Sequence, residues 1–175
     1  MALQRMSIQS IVVGSGPVAS LVILVPRKDA KDDSLVQLPI KIGRVEALSI
    51  GMGIDNKRNE RPMTHDLMKS MIDSLDCSLV DVVIYDVRGT TFYAQVHLTN
   101  ALGKPIYVDA RPSDAIALAV RMNRPIFADD RVLMTASMPD FESVERDARE
   151  REEEAFHDFV EGLSPEDFDA GGTPA

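Results

Sequence analysis

The segment Asp109–Asp114 holds the residue types best suited to chemistry, at the junction of a predicted strand and a predicted helix. Arg111 can bind a phosphate through two N–H groups, and the first turn of the helix offers free backbone N–H groups to an anion. Asp109 and Asp114 can hold a divalent ion such as Mg²⁺ or Mn²⁺, or a water molecule that attacks a phosphodiester. These features predict a site for an anion or a metal ion.

A structural interpretation of the same junction is favoured by spacing alone, because helix caps of this type are common. In that interpretation Ser113 caps the helix and Asp114 complements the helix dipole. Arg111 then pairs with Asp109 and needs no ligand.

A second group of polar residues is predicted on the hairpin that precedes this junction. Strand alternation places Tyr93 and His97 on one face, and Tyr107 and Asp109 on one face of the next strand. If the two faces coincide, His97 can act as a general acid or base and the tyrosines can stack on nucleic-acid bases. A solvent-facing surface, or one covered by a partner subunit, explains the alternation at least as well.

Three further features extend the candidate site. His65 lies at the start of a predicted helix, where it can act as a base, although a structural role at the helix start is favoured. The preceding loop carries Lys57, Arg58 and Arg61, which can contact phosphates or remain solvated. Glu46 also lies in the first turn of a predicted helix, and it can join a metal site if the fold brings it near Asp109.

The periodicity of the chain predicts an α+β protein. Its mainly antiparallel sheet has about six strands, with helices packed on it. Residues 1–138 are predicted to form one compact domain, residues 139–162 an acidic helical extension, and residues 163–175 a disordered tail. Thr64 and Ser113 are expected to cap two of the helices, and Pro125 to end the second.

Charge is distributed unevenly along the chain. The net charge is −9, yet residues 140–175 contain 13 acidic and 3 basic residues, which leaves a net +1 on residues 1–139. The near-neutral body therefore removes most of the electrostatic objection to nucleic-acid binding. Cys77 is the single cysteine, and no apolar run approaches the roughly 20 residues of a membrane span. A cytoplasmic protein without membrane insertion is expected.

Five blocks in order resemble the bifunctional nuclease domain family. They are Leu38–Gly43, Glu46-Ala47, Arg61–Leu67, Gly89–Ala94 and, above all, Asp109–Ala119. The resemblance covers roughly residues 6–138. It implies a compact α+β domain, nuclease activity on DNA and RNA, and a homo-oligomer, with a dimer favoured.

Two functional hypotheses follow. In the first, the protein is an enzyme that hydrolyses phosphodiesters with little sequence preference and the help of a divalent metal. Asp109, Asp114 and Glu46 hold the ion, Arg111 neutralises phosphate charge, and a histidine, His65 or His97, transfers protons. In the second, the protein is a non-enzymatic binding or regulatory module whose acidic C-terminal helix recruits a protein partner.

Overall fold

The computed structural model describes residues 2–15, 18–27, 37–55, 60–136 and 156–157. The chain divides into two compact units, Met1–Val13 with Ala19–Met138, and Gly14–Val18 with Pro139–Ala175. In the second unit, Phe156 and His157 are helical and exposed. The remainder of the predicted acidic helix, and the whole predicted tail, lie outside the described residues.

The first unit is an α+β domain with one mixed sheet. Its strands are β1 (Leu3–Val12), β2 (Ser20–Pro26), β3 (Leu38–Ile42), β4 (Ser78–Arg88), β5 (Thr91–Thr99), β6 (Pro105–Ala110) and β7 (Ile126–Asp129). Its helices are α1 (Arg44–Ile54), α2 (Thr64–Ser74), α3 (Pro112–Arg121) and α4 (Asp130–Ala136).

The seven strands lie in the order β3-β2-β1-β7-β4-β5-β6. All neighbours are antiparallel except β4 and β7, which are parallel. The prediction of a mainly antiparallel sheet is therefore right in outline, with one more strand than expected. Among the described residues, no helix is long and apolar enough to cross a membrane.

The core lies on the sheet face that α3 covers. Alternation along β4 and β5 sends Val82, Ile84, Ala94 and Val96 to this face, where all four are buried. They pack in one cluster with the middle of α3, residues Ala115–Ala119, which is also buried. Alanine lets the helix approach the sheet closely, and the strand–helix junction at Arg111 is thereby fixed in position.

Two helix caps differ from the predictions. Helix α3 begins at Pro112, with Arg111 in the N-cap position, so Ser113 is a buried helical residue and not a cap. Proline suits the first helical position because its missing N–H would have no partner there. Helix α2 begins at Thr64, with Met63 as N-cap, and the Asp66 carboxylate accepts the Met63 backbone N–H at 2.9 Å.

Candidate active site

Arg111 lies between two carboxylates from different helices. Its Nε and Nη2 donate to the two oxygens of Asp114 at 2.7 and 3.1 Å, and its Nη1 donates to Glu46 Oε1 at 3.1 Å. The Asp114 contact is local, because the two residues are three apart around the start of α3. The Glu46 contact joins α1 to this junction. The Arg111 side chain is 66% exposed, so its guanidinium is accessible to a solute.

His65 extends this group toward the protein interior. Its Nε2 lies 3.2 Å from Asp114 Oδ1, and its Nδ1 lies 2.9 Å from Ser49 Oγ on α1. Because an ionised carboxylate can only accept, the neutral imidazole carries its proton on Nε2, and Nδ1 accepts the Ser49 hydroxyl proton. We call Glu46, Ser49, His65, Arg111 and Asp114 the helix-side cluster.

Arg121, at the end of α3, supports the cluster from its buried side. Its Nε donates to Asp66 Oδ1 at 2.7 Å, its Nη1 to the Ala117 carbonyl at 3.0 Å, and its Nη2 to Ser49 Oγ at 3.4 Å. The guanidinium therefore holds α1, α2 and α3 together. This arrangement fixes the two helices that present Ser49 and His65.

The charges of the cluster favour ionised carboxylates. Burial opposes ionisation of Asp114, but the hydrogen bonds from Arg111 and His65 outweigh it and lower the pKa of this carboxyl. The hydrogen bond to Asp114, and its negative charge, raise the pKa of Arg111. The Asp66 carboxyl behaves in the same way as Asp114: burial opposes ionisation, while Arg121 and the Met63 N–H lower the pKa overall.

Gly43 leaves room for the Glu46 side chain. A Cβ atom at Gly43 would meet the carboxylate end of the Glu46 side chain, which would have to shift. The backbone of Gly43 is extended and open to any residue, so glycine here supplies space for that carboxylate. Glu46 can therefore fold back over the start of α1 and reach Arg111.

The opposite face of the sheet carries a different polar group. Register places Gln95 opposite Asp109 and His97 opposite Tyr107, so the two predicted polar faces do coincide. The His97 and Tyr107 rings meet edge to face at 4.8 Å. Tyr85 on β4 donates to Asp109 Oδ1 at 3.3 Å. Tyr93 shares this face and lies beneath the guanidinium of Arg88, 4.9 Å from its ring centroid.

His97 also contacts an acidic residue on β4. Its Nδ1 lies 2.7 Å from Asp81 Oδ1, and its Nε2 lies 3.1 Å from Gln95 Oε1. The first distance suits an ion pair, yet Asp81 Oδ1 is buried and has no directed hydrogen bond among the described residues. The His97 and Asp81 side chains are therefore in close contact without hydrogen-bond geometry. Asp81, His97, Tyr107 and Asp109 form what we call the sheet-side cluster.

The structure thus divides the predicted site residues between two places. Glu46, His65, Arg111 and Asp114 come together in the helix-side cluster, whereas His97, Tyr107, Asp109 and Tyr93 lie on the other face. The division arises at the end of β6, where Asp109 still follows strand alternation and Arg111 already occupies the N-cap position of α3. Arg61 is exposed, and Lys57 and Arg58 lie outside the described residues.

The predicted metal set of Asp109, Asp114 and Glu46 does not form one cluster. Asp109 contacts Tyr85, whereas Glu46 and Asp114 both bind Arg111. In the described part of the chain, no group of three or more His, Cys, Asp or Glu side chains is placed to hold a metal ion. This arrangement does not fit a bound metal, and a need for Mg²⁺ or Mn²⁺ stays a prediction.

Comparison with known proteins identifies the family. The bifunctional nuclease domain matches residues 26–140, which include every residue of both clusters. The chain belongs to the bifunctional nuclease domain family. It is also 39% identical over 137 residues to two Mycobacterium tuberculosis proteins, "Uncharacterized protein MT1877" of strain CDC 1551 and "Uncharacterized protein Rv1829" of strain H37Rv. Each alignment covers 76% of this chain and 81% of the relative.

The sequence analysis did not identify Ser49 and Arg121, which belong to the polar network around His65 and Asp114. Both carry a periodic signal, because Ser49 lies three residues after Glu46 and Arg121 lies seven residues after Asp114. These spacings place each pair on one helix face. Asp81 had a comparable signal in strand alternation, but only the pairing of β4 with β5 sets it opposite His97.

Proposed function

We propose that this protein hydrolyses phosphodiester bonds and that the helix-side cluster is its active site. The observation that carries the proposal is the pairing of an exposed guanidinium, Arg111, with a histidine, His65, through one shared carboxylate, Asp114. Membership of the bifunctional nuclease domain family supports the reaction class. Asp114 contacts both groups and so fixes the Arg111 guanidinium relative to the His65 imidazole.

Substrate binding would begin at Arg111. A phosphate has the oxygen geometry that a guanidinium binds with two N–H groups. Asp114 keeps two of the donors engaged, so the phosphate reaches the guanidinium by displacing Glu46 from Nη1. The Glu46 carboxylate is then freed beside the bound phosphate. Negative charge develops on the phosphate oxygens during hydrolysis. Because Arg111 contacts these oxygens, it also stabilises the transition state.

The proton transfers can then be assigned to two residues. The freed Glu46 carboxylate accepts a proton from the water molecule that attacks phosphorus. The leaving oxygen takes the place of Asp114 Oδ1 at His65 Nε2, and the ring, when protonated on both nitrogens, donates the Nε2 proton to that oxygen as the P–O bond breaks. Ser49 orients the ring through Nδ1, and the nearby Asp114 carboxylate stabilises the positive charge of the ring. The proton on Glu46 then leaves to solvent and His65 regains one from solvent, which restores the starting state. No step in this scheme runs through a metal ion.

The scheme also indicates the range of substrates. Water is the nucleophile, so no 2′-hydroxyl is required and both DNA and RNA qualify. Contacts to phosphate position a nucleic acid without reading its bases, so little sequence preference is expected. Single strands are favoured over duplexes because a single strand bends more readily to bring one phosphate to Arg111.

The test uses purified protein with end-labelled RNA and DNA of the same single-stranded sequence. Arg111→Ala should lower the cleavage rate by about 10²- to 10³-fold, the usual cost of removing one charge-stabilising group. Arg88→Ala is the matched control, since Arg88 is an exposed arginine on the opposite sheet face. Equal losses in both variants would contradict the assignment of the site.

Two further measurements test the metal requirement and separate the enzymatic proposal from the binding-module alternative. Cleavage in the presence and absence of a chelator, followed by Mg²⁺ or Mn²⁺, tests the predicted metal requirement. Binding without cleavage by the wild-type protein under all these conditions would overturn the enzymatic proposal. That result would favour the alternative of a binding or regulatory module, including recruitment of a protein partner by residues 139–162.

A further inference from the structure

Arg121 is a buried cation to which the proposed reaction assigns no role. Its side chain is 7% exposed, and its Nε and Nη1 donate to Asp66 Oδ1 at 2.7 Å and to the Ala117 carbonyl at 3.0 Å. These two bonds fix the plane of the guanidinium, since its N–H groups form a rigid fork. Nη2 is thereby directed to Ser49 Oγ at 3.4 Å. No hydrogen bond or ion pair among the described residues joins Arg121 to His65, so any contact effect on that ring passes through Ser49.

Ser49 lies between Arg121 and the imidazole ring of His65, with its Oγ 2.9 Å from Nδ1. A guanidinium can only donate, so Ser49 Oγ accepts from Arg121 and keeps a second lone pair and its own proton for the ring. With a neutral ring, the hydroxyl donates to Nδ1. With a protonated ring, the hydroxyl proton turns away and Oγ accepts the proton on Nδ1. The contact with Arg121 is the same in both states, so the oxygen need not move.

The ring has the fewest contacts at the step in which His65 acts as an acid. At rest it is held at both nitrogens, by Asp114 Oδ1 at 3.2 Å from Nε2 and by Ser49 at Nδ1. The proposed reaction places the leaving oxygen where Asp114 was, and the ring then depends on Ser49 for its orientation. Proton transfer needs Nε2 within hydrogen-bond reach of the leaving oxygen, and a displacement of about 1 Å can lower a rate by about 10²-fold.

We propose that Arg121 is a positioning residue for phosphodiester hydrolysis, which holds Ser49 Oγ in place so that Ser49 can bind His65 in both protonation states of the ring. A serine hydroxyl suits this position because it both donates and accepts. The contact of Arg121 with Ser49 is longer than most hydrogen bonds, so the charge of the guanidinium contributes to the hold together with the geometry. The role in catalysis rests on the proposed function, whereas the hold on the ring can be measured without cleavage.

Gly53→Ala displaces Arg121 without removing a charge or a hydrogen-bonding group. The new Cβ atom would lie 2.9 Å from Arg121 Nη1, so the guanidinium must shift. Gly51→Ala is the matched control on the same helix, because a Cβ atom there meets open space. With single-stranded RNA as substrate, Gly53→Ala should lower kcat about tenfold and leave KM nearly unchanged, since the displaced ring does not bind the phosphate. A fall in stability without a fall in kcat would show a purely structural role and overturn the proposal.

Variants of Ser49 test whether the effect passes through its hydroxyl. Ser49→Ala should lower kcat about tenfold, and Ser49→Thr, which keeps a hydroxyl, should retain most of the activity. Ser70→Ala is the control, because the Ser70 hydroxyl donates to the Asp66 carbonyl at 3.0 Å. Ser49→Ala combined with Gly53→Ala should be little slower than either alone, because both substitutions break one chain of contacts. A loss of about a hundredfold in the double variant would show independent effects and contradict the proposal.

Nitrogen NMR of the His65 ring tests the hold separately from cleavage. With the ring neutral in alkaline solution, wild-type Nδ1 should show the resonance of a nitrogen that accepts a hydrogen bond. Ser49→Ala should shift this resonance to that of a free acceptor nitrogen, and Gly53→Ala should shift it partway. An unshifted resonance in Gly53→Ala would overturn the proposal whether or not the protein cleaves RNA. The expected shifts together with a wild-type protein that cleaves no RNA would overturn the proposed reaction, and would support the hold of Arg121 on Ser49.

Discussion

The two polar clusters of this domain contain similar residues but differ in how those residues are held. In the helix-side cluster, Arg111 and His65 share Asp114, which lies 2.7 Å from Arg111 Nε and 3.2 Å from His65 Nε2. In the sheet-side cluster, His97 contacts Asp81 without hydrogen-bond geometry, and Asp109 has one long bond from Tyr85 at 3.3 Å. Fixed geometry favours catalysis, because a preorganised group needs little rearrangement in the transition state.

The difference arises from the elements that supply the residues. Three helices converge on the helix-side cluster, and hydrogen bonds between their side chains hold the cluster in position. The sheet-side residues come from three neighbouring strands, and there the Asp81 and His97 side chains are 21% and 22% exposed. The clusters therefore differ in hydrogen bonding and not in exposure, since the buried Asp81 Oδ1 has no hydrogen-bond partner among the described residues.

The largest difference between the clusters is expected in stability. Asp114→Ala leaves Arg111 and His65 without their shared acceptor, and the free energy of unfolding should fall by about 2 kcal/mol. Asp109→Ala removes an equivalent side chain from an exposed strand, and the change should stay within about 0.5 kcal/mol. Urea denaturation of both variants measures the two values. Equal effects would show that the helix-side network gives no special stability.

A smaller effect is expected from two glycines in α1. A Cβ atom at Gly53 would lie 2.9 Å from Arg121 Nη1 and 3.2 Å from Val120 Cγ1, so Gly53→Ala must shift the Arg121 guanidinium from its hydrogen-bond partners. We expect a loss of about 1 kcal/mol from this overpacking. Gly51→Ala has open space and should stabilise the helix by about 0.5–1 kcal/mol. Thermal denaturation compares the two variants. Stabilisation by both substitutions would contradict the close packing of Gly53 against Arg121 and Val120.

The smallest expected effect is on how the stability of the fold depends on pH in acid. The pKa values of Asp66 and Asp114 lie below the ordinary value of 3.8, so both carboxylates stabilise the folded state most above that pH. Their contribution is lost as pH falls through the lowered pKa values. Wild-type stability should therefore fall more steeply below pH 3.8 than that of Asp114→Asn. Denaturation curves at a series of pH values measure the slopes, and parallel slopes would count against the ionised network.

Local patterns in the sequence predict most of the elements but little of the site. Strand alternation and the Pro112 junction correctly predict β4, β5, β6 and α3. The contact of Arg111 with Glu46 and that of His65 with Asp114 span 65 and 49 residues, and both depend on how helices pack. Proximity in sequence was misleading for Asp109, because strand alternation sends it to the opposite face from the helix-side cluster.

Helix α2 shows the same limit. Its apolar periodicity predicts a helix correctly, yet Leu67, Met71 and Leu75 are exposed, while Ile72 packs against the core. The buried residue of this helix is His65, whose ring contacts Ser49 on α1 and Asp114 on α3. Hydrophobicity cannot identify such a position, because the histidine is buried by polar partners on two other helices.

The most direct test of the central claim is the cleavage rate of two matched histidine variants. His65→Gln should lower the rate by about 10²-fold or more, as expected for loss of a proton-transfer group. His97→Gln should retain close to wild-type activity, since His97 belongs to the sheet-side cluster. Loss of activity in His97→Gln with full activity in His65→Gln would contradict the account and place the chemistry on the opposite face of the sheet.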